Sequence, residues 1–100
     1  MDKYEVFLTP KALRDLDAIY TYVADTLLAT GTAEALIDAL EHGILSLEYM
    51  PYRCPERRIG VYANRGYRQL LIRNYTVIYR VSEENRQVVV VTVAYSKRDD

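Results

Sequence analysis

Tyr75-Thr76-Val77-Ile78-Tyr79-Arg80-Val81 is the stretch on which the fold turns. Successive side chains of a strand point to opposite faces, so Tyr75, Val77, Tyr79 and Val81 share one side. Just before it, Tyr67 to Arg73 reads as a partner strand that turns at Asn74, and just after it Ser82-Glu83-Glu84-Asn85 makes the next turn. The last strand, Gln87 to Tyr95, passes through Val88-Val89-Val90-Val91 and is apolar on both faces, which places it at the centre of a sheet under helices.

Upstream, residues 3–9 alternate, with Tyr4, Val6 and Leu8 on one face and Glu5, Phe7 and Thr9 on the other. Thr9-Pro10 then reads as a helix cap followed by proline at the first helical position. The helix that follows carries the stripe Leu13, Leu16, Tyr20, Val23, Leu27, with Gly31 as a left-handed stop and Thr32 as the next cap. A second helix spans about Ala33 to Tyr49, with Ile37, Leu40, Ile44 and Leu47 inward and Pro51 beyond its end. Its internal Gly43 is costly unless another backbone approaches there. The short connection makes the two helices an antiparallel hairpin. The expected fold is α+β, ordered β-α-α-β-β-β, a helical hairpin packed on a small, mainly antiparallel sheet. All 100 residues form one domain, with no repeat or linker.

Half of the chain is apolar and 27% is charged, the balance of a folded protein. No apolar run approaches the roughly 20 residues of a membrane-spanning helix. The opening Met1-Asp2-Lys3-Tyr4-Glu5 lacks the blocks of a secretory signal, so a cytoplasmic protein is expected. The single cysteine, Cys54, excludes an internal disulfide, and one cysteine with one histidine does not fill a zinc site; neither metal nor cofactor is expected. The net charge of −1 conceals a split: residues 1–50 sum to −6 and residues 51–100 to +5. Residues 51–80 carry Arg53, Arg57, Arg58, Arg65, Arg68, Arg73 and Arg80 against Glu56 alone, a net of +6. The guanidinium fork matches phosphate or carboxylate oxygens in pairs, so the partner is a phosphate chain or an acidic protein segment. The alternative is that these arginines pair with the molecule's own acidic helices.

Chemistry is sparse. The only histidine, His42, lies on a helix with no partners for a nucleophilic triad, and four scattered glycines make no phosphate loop. Cys54 has Arg53 and Arg57 near it, which favours a thiolate, although a small loop side chain is the simpler reading. Among ten tyrosines, Tyr52, Tyr62, Tyr67 and Tyr95 are surface candidates for stacking on bases. RNA cleavage through the 2′-hydroxyl needs a base and a cation to steady the phosphorane. Arg68, Arg73, Tyr95, Lys97 and Arg98 are the catalytic candidates, and Glu48, Glu56, Tyr95 and Lys97 are the possible bases. Arg68 and Arg73, five apart, point to opposite faces of a regular strand. Arg53, Arg57, Arg58, Arg65, Arg68, Arg80 and Arg98 are the candidates for binding a target or partner.

These pieces, in this order, resemble the RelE/ParE superfamily, the toxins of type II toxin–antitoxin modules. The resemblance runs from Tyr4-Glu5-Val6-Phe7-Leu8-Thr9-Pro10-Lys11-Ala12 and Asp15-Leu16, through Ser46-Leu47, Met50-Pro51 and Arg68-Gln69-Leu70, to Asn74-Tyr75-Thr76-Val77-Ile78-Tyr79-Arg80-Val81 and the closing Lys97-Arg98-Asp99. It implies a growth-inhibiting toxin, held off by a cognate antitoxin protein that wraps the helices and the basic sheet face. The target is DNA gyrase in one branch and ribosome-bound mRNA in the other, and such modules act in plasmid stabilization. The nuclease branch carries an arginine where this chain has Thr76, and a histidine where it has Tyr95. That implies ParE-like action on gyrase, with a RelE-like mRNA interferase as the alternative. A non-toxic binding module is the reading outside the family.

Overall fold

The computed structural model describes residues 3–96. Strand β1 (Glu5–Leu8) leads into helix α1 (Pro10–Thr21), a π-helical turn at Tyr22–Thr26 and helix α2 (Thr30–Leu45). Two 3-10 turns, Ser46–Glu48 and Pro51–Arg53, precede a long loop and the strands β2 (Arg68–Ile72), β3 (Tyr75–Ser82) and β4 (Gln87–Tyr95). The sheet order is β1-β4-β3-β2, with β1 parallel to β4 and the other two pairings antiparallel. The expected α+β arrangement and the interior place of the valine strand both hold.

Thr9 caps α1 as its sequence implies, its hydroxyl accepting from the Ala12 N–H at 3.1 Å, with Pro10 in the first turn. The first stripe needs correction. Ala12, Leu16, Val23 and Ala24 are buried, whereas Leu13 and Leu27 are exposed: within α1 the inward face runs through Ala12 and Leu16, which turns Leu13 outward, and the widened turn at Tyr22–Thr26 rotates the chain after Thr21. Gly31 is not the stop, nor Thr32 the cap. Leu28 takes the left-handed conformation (φ 55°), and α2 begins at Thr30 behind Ala29, with no side-chain cap. α2 ends at Leu45 rather than Tyr49, yet Leu40, Ile44 and Leu47 are buried as expected. Burying each contributes about 1.5–3 kcal/mol. At Gly43 the close neighbour is a side chain, not a backbone: a Cβ there would overlap Ile72 of β2.

Val77, Tyr79, Val88 and Val90 meet the helices with no exposed surface. Ile78 pairs with Thr92 and Tyr79 with Val90, so Val91 is an extra residue bulged out of β4. On the far face Val89 is only half-buried, so the valine strand is covered more on one side than the other. Arg73 lies outside β2, in the turn and left-handed (φ 54°), so the strand-parity argument relating it to Arg68 does not apply. β1 is shorter than β4 and leaves part of the β4 edge open. α1 closes that gap: the Asp15 carboxylate accepts from the Val93 N–H at 3.0 Å and the Thr92 hydroxyl at 2.6 Å, and Lys11 holds it at 3.1 Å.

Candidate functional site

The loop after α2 is built by guanidinium groups. Arg53 wraps back over the end of α2, donating to the carbonyls of Tyr49 (2.7 Å), Met50 (3.2 Å) and Ser46 (3.4 Å) and to the Ser46 hydroxyl (2.8 Å). The Ser46 and Met50 carbonyls also accept the backbone N–H groups of Tyr49 (3.3 Å) and Arg53 (3.1 Å), so the guanidinium braces the 3-10 turns that follow α2. Arg57 is 3% exposed; its Nε donates to the Ile59 carbonyl at 3.0 Å and its Nη1 to Gln69 Oε1 at 2.7 Å. Arg68 donates to the Cys54 carbonyl at 2.6 Å and the Tyr52 carbonyl at 3.4 Å, and lies 5.1 Å over the Tyr52 ring. These contacts go to carbonyl, amide and hydroxyl oxygens, not to carboxylates of the acidic helices. Arg58, Arg65, Arg73 and Arg80 are exposed and have no side-chain partner among the described residues.

The catalytic candidates among the described residues do not gather at one point. Arg68 is opposite Tyr79 in the sheet, while Arg73 and Tyr95 lie at the other end of the β2–β3 hairpin, where Tyr75 pairs with Tyr95. Tyr95 is half-buried, with its ring edge-on to Tyr75 at 5.5 Å. Lys97 and Arg98 lie outside the described residues. Of the possible bases, Glu48 pairs with Lys3 at 3.7 Å and Glu56 is an exposed bridge partner of Arg68. Thr76 is 1% exposed, and its hydroxyl shares a 2.9 Å hydrogen bond with Ser96. Tyr62 and Tyr67 are half-buried against each other at 4.9 Å, edge to face. Cys54 is buried, and His42 is exposed in the last turn of α2.

One cluster was not apparent in the sequence. The Glu83 carboxylate, in the β3–β4 turn, accepts from the hydroxyls of Tyr4 (3.0 Å) and Tyr52 (2.8 Å) and pairs with Arg86 at 3.5 Å. Arg86 also sits 5.5 Å over the Tyr4 ring. Burial, and then the Glu83 carboxylate, push the Tyr4 hydroxyl pKa up; at Tyr52 the Glu83 hydrogen bond is the main cause. Nearby, Tyr79 is fully buried with its hydroxyl on the Pro51 carbonyl, and its pKa is raised by burial first and by Cys54 second. Glu83 and Arg86 share one turn, but no spacing links them to residues 4 and 52: the register of β1 beside β4 brings up Tyr4, and the 3-10 turn at Pro51–Arg53 brings up Tyr52.

A second feature is a groove of about 640 Å³ between the α1 end of the helical hairpin and the ends of β3 and β4. Ile19, Tyr22, Val23, Leu27, Tyr75, Val93 and Tyr95 line it, and Asp15 is the only charged lining residue among those described. No group of three or more His, Cys, Asp or Glu suited to a metal occurs among the described residues. Nor is any described helix long and apolar enough to cross a membrane.

The model of a family described as the ParE toxin of a type II toxin–antitoxin system, parDE, matches residues 6–100. The chain belongs to the ParE toxin family. No curated protein matches it significantly. Solved structures share the fold: a chromosomal ParDE toxin–antitoxin system from P. aeruginosa is 20% identical with a TM-score of 0.77, covering 95% of this chain and 98% of that one. The toxin–antitoxin complex RelBE2 from Mycobacterium tuberculosis is 24% identical with a TM-score of 0.64, covering 95% and 93%. A mutant of the E. coli toxin RelE in the free state is 18% identical with a TM-score of 0.60, covering 96% and 86%. The chain is thus a type II toxin of the RelE/ParE superfamily, as its motif order implied.

Proposed function

We propose that this ParE-family chain, acting as one domain over residues 1–100, inhibits growth by binding DNA gyrase and is neutralised by a cognate antitoxin protein. The observation that carries the gyrase reading is Thr76. The nuclease branch places an arginine there, whereas here a threonine is buried and hydrogen-bonded to Ser96 and offers no cation to a phosphate. The dispersal of Arg68, Arg73 and Tyr95 along the hairpin supports the same reading, since general acid–base cleavage requires its groups within hydrogen-bond reach of one scissile phosphate. An inhibitor that grips a protein needs no such convergence. For the antitoxin, the groove between α1 and the strand ends suits the apolar face of an amphipathic helix. Acidic segments of the same partner would meet Arg73, exposed in the β2–β3 turn beside that groove.

Expression of the chain alone in a bacterial host tests this. Growth should stop, plasmids should lose negative supercoiling, and messages should remain full length; co-expression of the antitoxin encoded beside it should restore growth. Truncated messages with normal plasmid topology would overturn the gyrase assignment.

A further inference from the structure

The loop between β2 and the 3-10 turns is closed on itself rather than draped over the surface. Its neck is the Arg57 N–H donating to the Tyr67 carbonyl at 2.7 Å, reinforced by Asn64 N–H to the Arg57 carbonyl at 2.9 Å. The tip is a turn in which the Ala63 N–H reaches the Gly60 carbonyl at 3.1 Å; Gly60 (φ 80°) and Gly66 (φ 85°) supply the left-handed bends. Tyr62 and Tyr67 fill the interior, and the buried Arg57 ties the loop to Gln69 of β2. Such a compact loop holds its shape without a partner.

What that frame presents is unusual for a free surface. Val61, at the tip, is 78% exposed and Ile59 is 56% exposed, flanked by Arg58 and Arg65, both exposed and without a side-chain partner among the described residues. Aliphatic side chains held outward by a rigid turn gain only by entering an apolar cleft, because water penalises them where they stand. Two free guanidinium groups beside them favour carboxylates at the rim of that cleft. Nucleic acid fits less well: valine and isoleucine do not stack on bases, and the rings that could, Tyr62 and Tyr67, are turned on each other. The loop joins β2 at Arg68, whereas the apolar groove lies beside Tyr75, where the β2–β3 hairpin turns, so the two surfaces can be engaged separately.

We infer that the loop tip, with Val61 as anchor and Arg58 and Arg65 as its charged rim, is a preformed knob that docks in an acid-rimmed apolar cleft of the target protein. This rests on the gyrase reading, and it assigns the contact. Val61→Asp, Val61→Leu and the Arg58→Ala/Arg65→Ala pair, made in the full chain and checked for an unchanged melting temperature, are tested for binding to purified DNA gyrase at low and moderate salt. Val61→Asp should weaken binding by at least about 30-fold and Val61→Leu by less than about 3-fold. The arginine pair should weaken it about 10-fold and flatten its salt dependence. Equal binding by the parent chain and Val61→Asp would overturn the knob while leaving gyrase as target. Failure of the parent chain to bind gyrase would overturn the gyrase reading and the knob with it. Retained RNA binding by Val61→Asp, lost in the arginine pair, would make the loop a nucleic-acid surface and also overturn the inference.

Discussion

The β3–β4 hairpin and the loop that precedes β2 are both ordered, by opposite means. In the hairpin, Val77, Tyr79, Val88 and Val90 have no exposed surface, and apolar burial fixes the register. In the loop no alternation exists, and order comes from carbonyl oxygens collected around Arg53, Arg57 and Arg68. Arginine's five donors can organise a segment that has no periodic pattern. Charge counted along a sequence therefore overstates the charge available to a partner: of seven arginines in residues 51–80, four point outward without a partner among the described residues.

Four measurements press on that contrast. Leu40→Ala, beneath the sheet and fully buried, should cost about 3 kcal/mol in urea unfolding and destabilise the molecule as a whole; a loss under about 1 kcal/mol would mean the core is not the main source of stability. Arg57→Ala should cost about 2 kcal/mol, and its signature should be local. Exchange of the Asn64 amide should accelerate while the β3 and β4 amides stay protected, and uniform acceleration would erase the distinction between the two regions. Asp15→Ala should cost about 1.5 kcal/mol by orphaning the Val93 N–H at the open β4 edge, read as faster exchange of that amide.

The smallest effect is on pH dependence. The pKa of Tyr79 is raised in the folded chain, so its contribution is fully present below pH about 10 and is lost as the pH climbs and the unfolded chain releases its proton first. Above pH 10.0, the ordinary tyrosine value, the parent chain should lose stability more steeply than Tyr79→Phe, by at most about 1.4 kcal/mol per pH unit. Parallel slopes would show that the Tyr79 hydroxyl on the Pro51 carbonyl is not protected as described.

What the sequence exposed and what it hid follow the same division. Period-two alternation located β1 and β3, the valine run located β4, and Thr9-Pro10 located the start of α1, because each rests on local chemistry that neighbours in the chain report. The stripe failed at Leu13 because the smaller Ala12 takes the inward position one residue earlier, and at Leu27 because a π-helical turn changes the angular step without a sequence marker. Gly31 failed as a stop because Leu28 takes the left-handed conformation instead. The arginine-rich segment was recognisable as a binding candidate, but composition does not show which guanidinium groups are satisfied by carbonyls. The Tyr4, Tyr52, Glu83 and Arg86 cluster was hidden for a simpler reason: Tyr4 and Tyr52 reach the Glu83–Arg86 turn from segments far away in the chain.

The central claim, that this toxin acts by gripping gyrase rather than by cutting RNA, is tested most directly by titrating the purified protein into a supercoiling reaction of purified gyrase, relaxed plasmid and ATP. The account predicts that supercoiled product disappears as the protein approaches the gyrase concentration and returns when the antitoxin is added. Undiminished supercoiling at large molar excess, with the same preparation cleaving message on programmed ribosomes, would contradict it.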